Sequence, residues 1–142
     1  MTRPSTIARV AALLLSVITL AACDDHRGAD AAQSIDVQAP GLRQAVTNYY
    51  SAVFTGDYNQ AFSLRSAVCT KGSTAADFGD DLRGLLKGYG GHPSVTAITV
   101  VARAPGSAMV ESTLSDEKAP AFLAGPRKWT RIEGQWRFDN CV

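Results

Sequence analysis

The stretch KWTRIEGQWRFD, residues 128–139, decides the fold of this chain of 142 residues. Runs rich in aromatic residues flank Glu133 and Gly134, and such runs favour β-strands. A Glu-Gly pair suits the two-residue turn of a β-hairpin, although Asn-Gly or Asp-Gly would be a stronger signal. The stretch therefore predicts an antiparallel hairpin that turns at Glu133 and Gly134.

This turn determines which residues face each other, with Trp129 opposite Phe138 and Arg131 opposite Trp136. The three aromatic side chains then share one face of the hairpin with Arg131. Such a face needs a second layer of structure to cover it, and helical patterns in the preceding part of the chain supply one.

The first helical pattern is GLRQAVTNYYSAVFTGDY, residues 41–58. Its apolar residues recur at spacings of three and four, which predicts a helix over 42–55. Gly56 suits the left-handed position that ends many helices. Asp57 is then a suitable N-cap for a second helix, which we expect to extend to about Val68.

A third helix is predicted to begin at Thr74, because Thr74 and Asp77 have the spacing of a capping box, with Asp in place of the usual Glu or Gln. Its apolar side is formed by Phe78, Leu82, Leu85 and Leu86.

Strand patterns occupy the second half of the chain. Residues 94–103 are rich in β-branched side chains, and APG, residues 104–106, separates them from a second strand over 107–114. The longer connection that follows is expected to hold a partial strand around Phe122. Helices followed by strands argue for the α+β class, with N-terminal helices packed on an antiparallel sheet.

This order resembles the nuclear transport factor 2-like fold, also called SnoaL-like or cystatin-like, over residues 41–142. The resemblance implies a curved sheet that wraps around the helices as a cone with an apolar pocket, and dimerisation through the sheet. It places Tyr49, Trp129, Trp136 and Phe138 as the candidate pocket residues. The residues that carry it are Tyr49, Gly56, Asp57, Tyr58, Phe62, Gly134, Trp136 and Phe138.

Enzymes of this fold include isomerases and cyclases that use a carboxylate base and a tyrosine that stabilises an enolate. Tyr49 resembles the oxyanion tyrosine of the isomerases. The carboxylate that they place after the second helix is missing, since CTKGST, residues 69–74, stands there and the first acid is Asp77. We therefore expect no catalytic set, with an isomerase- or cyclase-like enzyme that uses Tyr49 as the alternative.

The amino terminus has the layout of a secretory signal. Arg3 and Arg9 precede an apolar run of 13 residues, 10–22. A membrane-spanning helix needs about 20 residues, so a retained anchor helix is the weaker interpretation.

The run ends in Leu20-Ala21-Ala22-Cys23, which resembles the lipobox of bacterial lipoproteins. The resemblance implies that residues 1–22 are a cleaved signal peptide and that the Cys23 thiol carries a lipid. An ordinary cleaved signal with a cysteine nearby is the alternative. Residues 23–40 are then a lipidated, flexible tether, because they have few large apolar side chains to bury.

The chain has three cysteines, and an odd number in an exported protein leaves one to be explained. If Cys23 is lipidated, Cys69 and Cys141 remain and can form a disulfide, which an exported location permits. Two buried free thiols are the alternative. A lipobox combined with such a cysteine pair resembles small lipoproteins of actinobacteria.

Charge argues against nucleic acid as a partner. Two of the 14 Lys and Arg residues, Arg3 and Arg9, lie in the signal, which leaves 12 against 13 acidic residues and a net charge of about −1. His26 and His92 are isolated, and a zinc site needs three or four ligands, so no metal is expected. No cofactor motif was found either.

The sequence thus predicts a lipid-anchored domain at the extracytoplasmic face of the cell membrane, without catalytic activity. It would bind a small apolar ligand in the cone or an envelope protein partner on the sheet.

Overall fold

A computed structural model describes residues 39–123 and 125–141 of the chain. Within them, four helices precede a four-stranded antiparallel sheet, so the α+β class predicted from the sequence is confirmed. The predicted signal peptide, the predicted lipidation site at Cys23 and nearly all of the predicted tether lie outside the described residues.

The helices agree with the sequence patterns at four of their boundaries, the last of which, at Thr74, is described below. Helix α1 spans Leu42–Thr55, as predicted, and Gly56 follows it in the left-handed conformation with φ 77°. Helix α2, Tyr58–Ser63, is capped by Asp57, whose carboxylate accepts from the Gln60 N–H at 3.0 Å. The remaining two helices are α3, Ala67–Thr70, and α4, Ala75–Leu85.

The second helix does not extend to Val68, because a long-range pairing interrupts it. The backbone at Arg65 forms a parallel bridge with Phe138. The Phe138 N–H donates to the Leu64 carbonyl at 2.9 Å, and the Ser66 N–H donates to the Phe138 carbonyl at 2.8 Å. These bonds cover the free edge of the last strand, which otherwise would present unpaired backbone groups.

The predicted capping box at the start of α4 is present. The Thr74 hydroxyl accepts from the Asp77 N–H at 3.2 Å, and the Asp77 carboxylate accepts from the Thr74 N–H at 3.0 Å. The hydrogen bonds from Thr74 also lower the pKa of Asp77.

Replacing Thr74 with Ala is expected to lower the free energy of unfolding by about 1 kcal/mol, because one N–H of the first turn loses its acceptor. Urea unfolding followed by circular dichroism measures the change. The matched control is Ser73→Ala, which we expect to stay within about 0.5 kcal/mol of the wild type. Equal losses in the two variants would contradict a specific role for the cap.

The sheet has the order β1-β2-β3-β4. The last hairpin turns at Glu133, φ 50°, and Gly134, φ 80°, and two positive φ values define the turn type that matches the twist of the strands. Its register is the predicted one, with Trp129 opposite Phe138. The strands are β1, Val95–Ala104, β2, Ser107–Leu114, β3, Arg127–Ile132, and β4, Gln135–Phe138.

The connection between β2 and β3 differs from the expectation. A 3₁₀ helix, Ala121–Leu123, replaces the partial strand expected around Phe122. Leu123 is buried, whereas the Phe122 side chain is 38% exposed.

The core lies between α1 and the sheet. Trp129, Leu42 and Val46 are among the largest side chains that are almost completely enclosed. Trp129 is only 1% exposed, and its ring contacts Tyr49 and Phe138 edge-on, with centroids 5.9 and 5.6 Å apart. The hairpin face predicted to need a covering layer therefore packs on α1, except that Arg131 is exposed at the end of the hairpin.

A disulfide joins Cys69 in α3 to Cys141 just after β4, with the two Cα atoms 5.0 Å apart. Beside it, Asp139 accepts hydrogen bonds from the Ser66 and Thr130 hydroxyls and pairs with Lys128, whose Nζ lies 2.8 Å from Oδ2. The carboxyl end of the chain is thus held both covalently and by a charged cluster.

The Asp139 cluster makes stability depend on pH. Burial alone would raise the pKa of Asp139, but the hydrogen bonds from Lys128, Ser66 and Thr130 outweigh it and lower the pKa. A carboxylate with a lowered pKa in the folded state stabilises the protein above its unfolded pKa of about 3.9, and this contribution is lost as the pH falls below that value.

Asp139→Asn is expected to cost about 2 kcal/mol at neutral pH, because hydrogen bonds to a charged acceptor are lost. As the pH falls below about 4, the free energy of unfolding should decrease less in the variant than in the wild type. Urea unfolding at several pH values measures this difference. The control is Asp80→Asn. Asp80 forms a salt bridge with Arg83, but its side chain is 74% exposed, so this substitution should change the free energy of unfolding little. Parallel pH profiles for wild type and Asp139→Asn would contradict the assignment.

Candidate functional site

An apolar cavity of about 350 Å³ is lined by residues of both the helices and the sheet. Helices α1 and α4, the 3₁₀ helix and the outer ends of β3 and β4 each contribute to its wall. The cavity is lined by Tyr49, Tyr50, Leu82, Leu85, Phe122, Leu123, Arg127, Phe138 and Asn140.

Aromatic stacking shapes one wall of the cavity. The Tyr49 ring lies flat on Phe138, with the centroids 4.4 Å apart and the planes 8° apart. Tyr50 meets Tyr49 edge-on at 5.7 Å, and its hydroxyl donates to the Leu123 carbonyl at 2.9 Å. Because these contacts fix both rings, the wall is preformed, as is usual for sites that bind small molecules.

Two exposed apolar side chains stand at the mouth of the cavity. Leu85, predicted on the buried side of its helix, is 58% exposed, and Phe122 is 38% exposed. Helix α4 buries Phe78 and Leu82 in the core and ends at Leu85, which is not part of the core cluster. Both of these departures from the sequence prediction therefore lie at the mouth of one cavity.

The polar groups of the cavity are few. Arg127 is half-buried at the start of β3, and its Nη1 donates to the Pro126 carbonyl at 3.1 Å. The Lys128 N–H donates to Oδ1 of Asn140 at 3.5 Å, so the side-chain nitrogen of Asn140 takes no part in that contact.

The tyrosines of the cavity are neutral at physiological pH. Burial raises the pKa of Tyr49 above its ordinary value, and the positive charges of Arg65 and Arg127 oppose this only in part. Burial likewise raises the pKa of Tyr50, with Ser112 and Arg127 acting in the opposite direction. Both hydroxyls therefore interact as neutral groups with anything that enters.

Among the described residues that line the cavity, none is Asp or Glu. The isomerase alternative needs a carboxylate base within hydrogen-bond reach of the substrate. The described lining supplies a tyrosine hydroxyl and a guanidinium for that chemistry, and it does not supply the base.

The four candidate pocket residues occupy different places. Tyr49 and Phe138 line the cavity. Trp129 lies behind them in the core, where its buried Nε1 has no hydrogen-bond partner among residues 39–123 and 125–141. Trp136 donates through Nε1 to the Pro40 carbonyl at 3.1 Å, at the start of the domain.

Arg127 and Asn140, which contribute polar groups to the cavity, were not among the residues predicted from the sequence. Arg127 follows Gly125 and Pro126, and Asn140 follows a strand, so each reads locally as an ordinary boundary residue. No periodicity marks either of them, because the cavity forms only when the ends of β3 and β4 meet the helices.

One cluster has atoms that metals use as ligands. The sulfurs of Cys69 and Cys141 and a carboxylate oxygen of Asp139 lie within 4.8 Å of one another. Both sulfurs are bonded in the disulfide, and a metal requires the free thiolate. The two bonded sulfurs therefore indicate a structural cross-link.

The chain matches no known protein-family model, and no curated protein is similar to it in sequence. Within residues 39–123 and 125–141, no helix combines the length and the apolar character needed to cross a bilayer.

Proposed function

We propose that this protein is a lipid-anchored ligand-binding domain that holds a small apolar molecule in the cavity beside Tyr49. The observation that carries the proposal is the preformed apolar cavity with two exposed apolar side chains, Leu85 and Phe122, at its mouth. Exposed apolar residues that converge on one opening are typical of binding sites, whereas isolated ones need no explanation. A cavity of about 350 Å³ falls in the size range of small-molecule sites.

A nuclear transport factor 2-like fold belongs to the same proposal. Helices that cover one face of an antiparallel sheet, with a cavity at the open end, are what that fold would require. The aromatic hairpin with Trp129, Trp136 and Phe138 buried supports it. Such folds host both enzymes and carriers, so the proposed role rests on the cavity itself.

The anchor completes the proposed role. A lipid on Cys23 would hold the domain at the extracytoplasmic face of the membrane through the tether of residues 23–40. Its support is the lipobox-like sequence after an apolar run of 13 residues. The Cys69–Cys141 disulfide is consistent with an oxidising location.

The cavity is tested with N-phenylnaphthylamine, a neutral probe that fluoresces in apolar sites. We expect saturable binding to the wild type and at least a tenfold weaker affinity for Leu85→Trp, because the indole narrows the mouth. Val68→Trp is the matched control, since Val68 is 74% exposed on another helix and does not line the cavity. Equal binding to both variants, or no saturable binding to the wild type, would overturn the proposed function.

The anchor is tested separately with Cys23→Ser. We expect the variant to leave the membrane fraction and the wild type to show a mass gain that corresponds to acyl chains. Continued membrane retention of the variant, with no acyl mass on the wild type, would refute lipidation at Cys23 without bearing on the cavity.

A further inference from the structure

We propose that the ligand is an anionic amphiphile, a carboxylate with a single alkyl chain, whose head group binds Arg127 while the chain lies against Leu82, Leu123 and Phe138. This inference rests on the proposed function, because it names the ligand class of the same cavity.

Arg127 is the charge that selects the head group. It lies half-buried at the edge of an otherwise apolar wall. Within the described part of the chain, no salt bridge joins Arg127 to a carboxylate, since Asp80 pairs with Arg83 and Asp139 with Lys128. The hydrogen bond from Nη1 to the Pro126 carbonyl does not neutralise the guanidinium, so an anionic ligand would supply a counter-ion to a half-buried charge. The guanidinium is also the group best suited to bind a carboxylate with two parallel hydrogen bonds.

Further hydrogen-bond donors line the same cavity. Asn140 accepts from the Lys128 N–H through Oδ1, so its amide nitrogen is the group of this side chain that can donate to an anion. The neutral Tyr49 hydroxyl is a second group of the same lining that donates without adding charge. The described lining residues include no Asp or Glu, so none of them would repel a carboxylate.

The remaining wall suits an alkyl chain. Leu82 and Leu123 are buried, and the stacked rings of Tyr49 and Phe138 form a flat apolar surface. An apolar protein cavity of about 150 Å³ binds benzene, so one of about 350 Å³ has room for a medium-length chain. Exposed Leu85 and Phe122 would cover the segment near the mouth.

The experiment compares decanoate with decanol as competitors that displace N-phenylnaphthylamine from the wild type. The two molecules share one chain and differ at the head group. We expect decanoate to bind at least tenfold more tightly than decanol at neutral pH. Decylamine, which carries the opposite charge, should bind more weakly than decanol.

Arg127→Gln should abolish the preference for decanoate. Arg127→Lys should keep only part of it, because lysine retains the positive charge but cannot form the two parallel hydrogen bonds of a guanidinium. Arg131→Gln is the matched control, since Arg131 lies on the same strand, is exposed and does not line the cavity. The ratio of the decanoate affinity to the decanol affinity is measured within each protein. Partial unfolding of a variant would weaken both affinities equally and leave this ratio unchanged.

The outcomes separate the two proposals. If decanol binds as tightly as decanoate, or if Arg127→Gln keeps the preference, the anionic head group is refuted while ligand binding stands. If neither competitor displaces a bound probe, the inference also fails. If the probe itself does not bind, the proposed function fails with it.

Discussion

Replacing both Cys69 and Cys141 with Ser is expected to lower the free energy of unfolding by about 4 kcal/mol. The disulfide joins residues 72 positions apart, and closing so long a loop removes much conformational entropy from the unfolded chain. Domains of this size have a total stability of about 5–15 kcal/mol, so the loss is a large part of it. Thermal unfolding of the oxidised wild type and the variant should show midpoints on the order of 20 °C apart.

Two controls isolate the cross-link from the side chains. Val68→Ala, at the exposed neighbour of Cys69, should change stability by no more than about 0.5 kcal/mol. Reduction of the wild type should reproduce the loss seen in the double variant. A double variant as stable as the oxidised wild type would show that the disulfide does not stabilise the fold.

Trp129→Ala is expected to cost about 3–5 kcal/mol, since it removes the largest of the nearly inaccessible side chains of the core. The void would lie directly behind Tyr49 and Phe138, whose rings contact the indole. Binding of the fluorescent probe should weaken as well, because these two rings form the wall of the cavity. Urea unfolding and probe titration measure the two effects.

Trp129→Phe distinguishes packing from polarity. The indole Nε1 has no hydrogen-bond partner in the part of the chain that the structure describes, so phenylalanine removes only side-chain volume and should cost about 1–2 kcal/mol. Ile132→Ala serves as the control on the same strand, where the side chain is 40% exposed. A phenylalanine variant as unstable as the alanine variant would point to an unrecognised bond at Nε1.

The parts of the fold that the sequence predicts well are those determined within a few residues. Helix α1 follows from apolar spacing and from Gly56 at its end. The hairpin register follows from the turn at Glu133 and Gly134. In each case the decisive interaction joins residues that are close in the chain, so a local pattern is sufficient.

The second helix shows where local reasoning fails. Residues 64–66 have a helical pattern, but their backbone pairs with Phe138, more than 70 positions away. Ser66 leaves the helix and becomes a buried cap that contacts Asp139. Nothing near Ser66 in the sequence signals this pairing, because its partner is the edge of a strand that comes much later.

The candidate site was predictable only in part. Tyr49 and Phe138 were expected to line a pocket by resemblance, and both lie on the cavity wall. Leu85 was expected on the apolar side of its helix and Phe122 in a partial strand, but Leu85 is exposed, Phe122 lies in a 3₁₀ helix, and both line the mouth of the cavity. Departures from local rules that converge on one place are common at functional sites, where stability is not the only requirement.

The disulfide also determines what a protease could release from this protein. Cys69 lies early in the domain and Cys141 near its carboxyl end, so a single cut anywhere between them leaves both pieces covalently joined. The connection around Phe122, on the surface between β2 and β3, lies inside that loop. A nicked molecule would therefore migrate as one chain until it is reduced, and its cavity wall would keep every one of its residues.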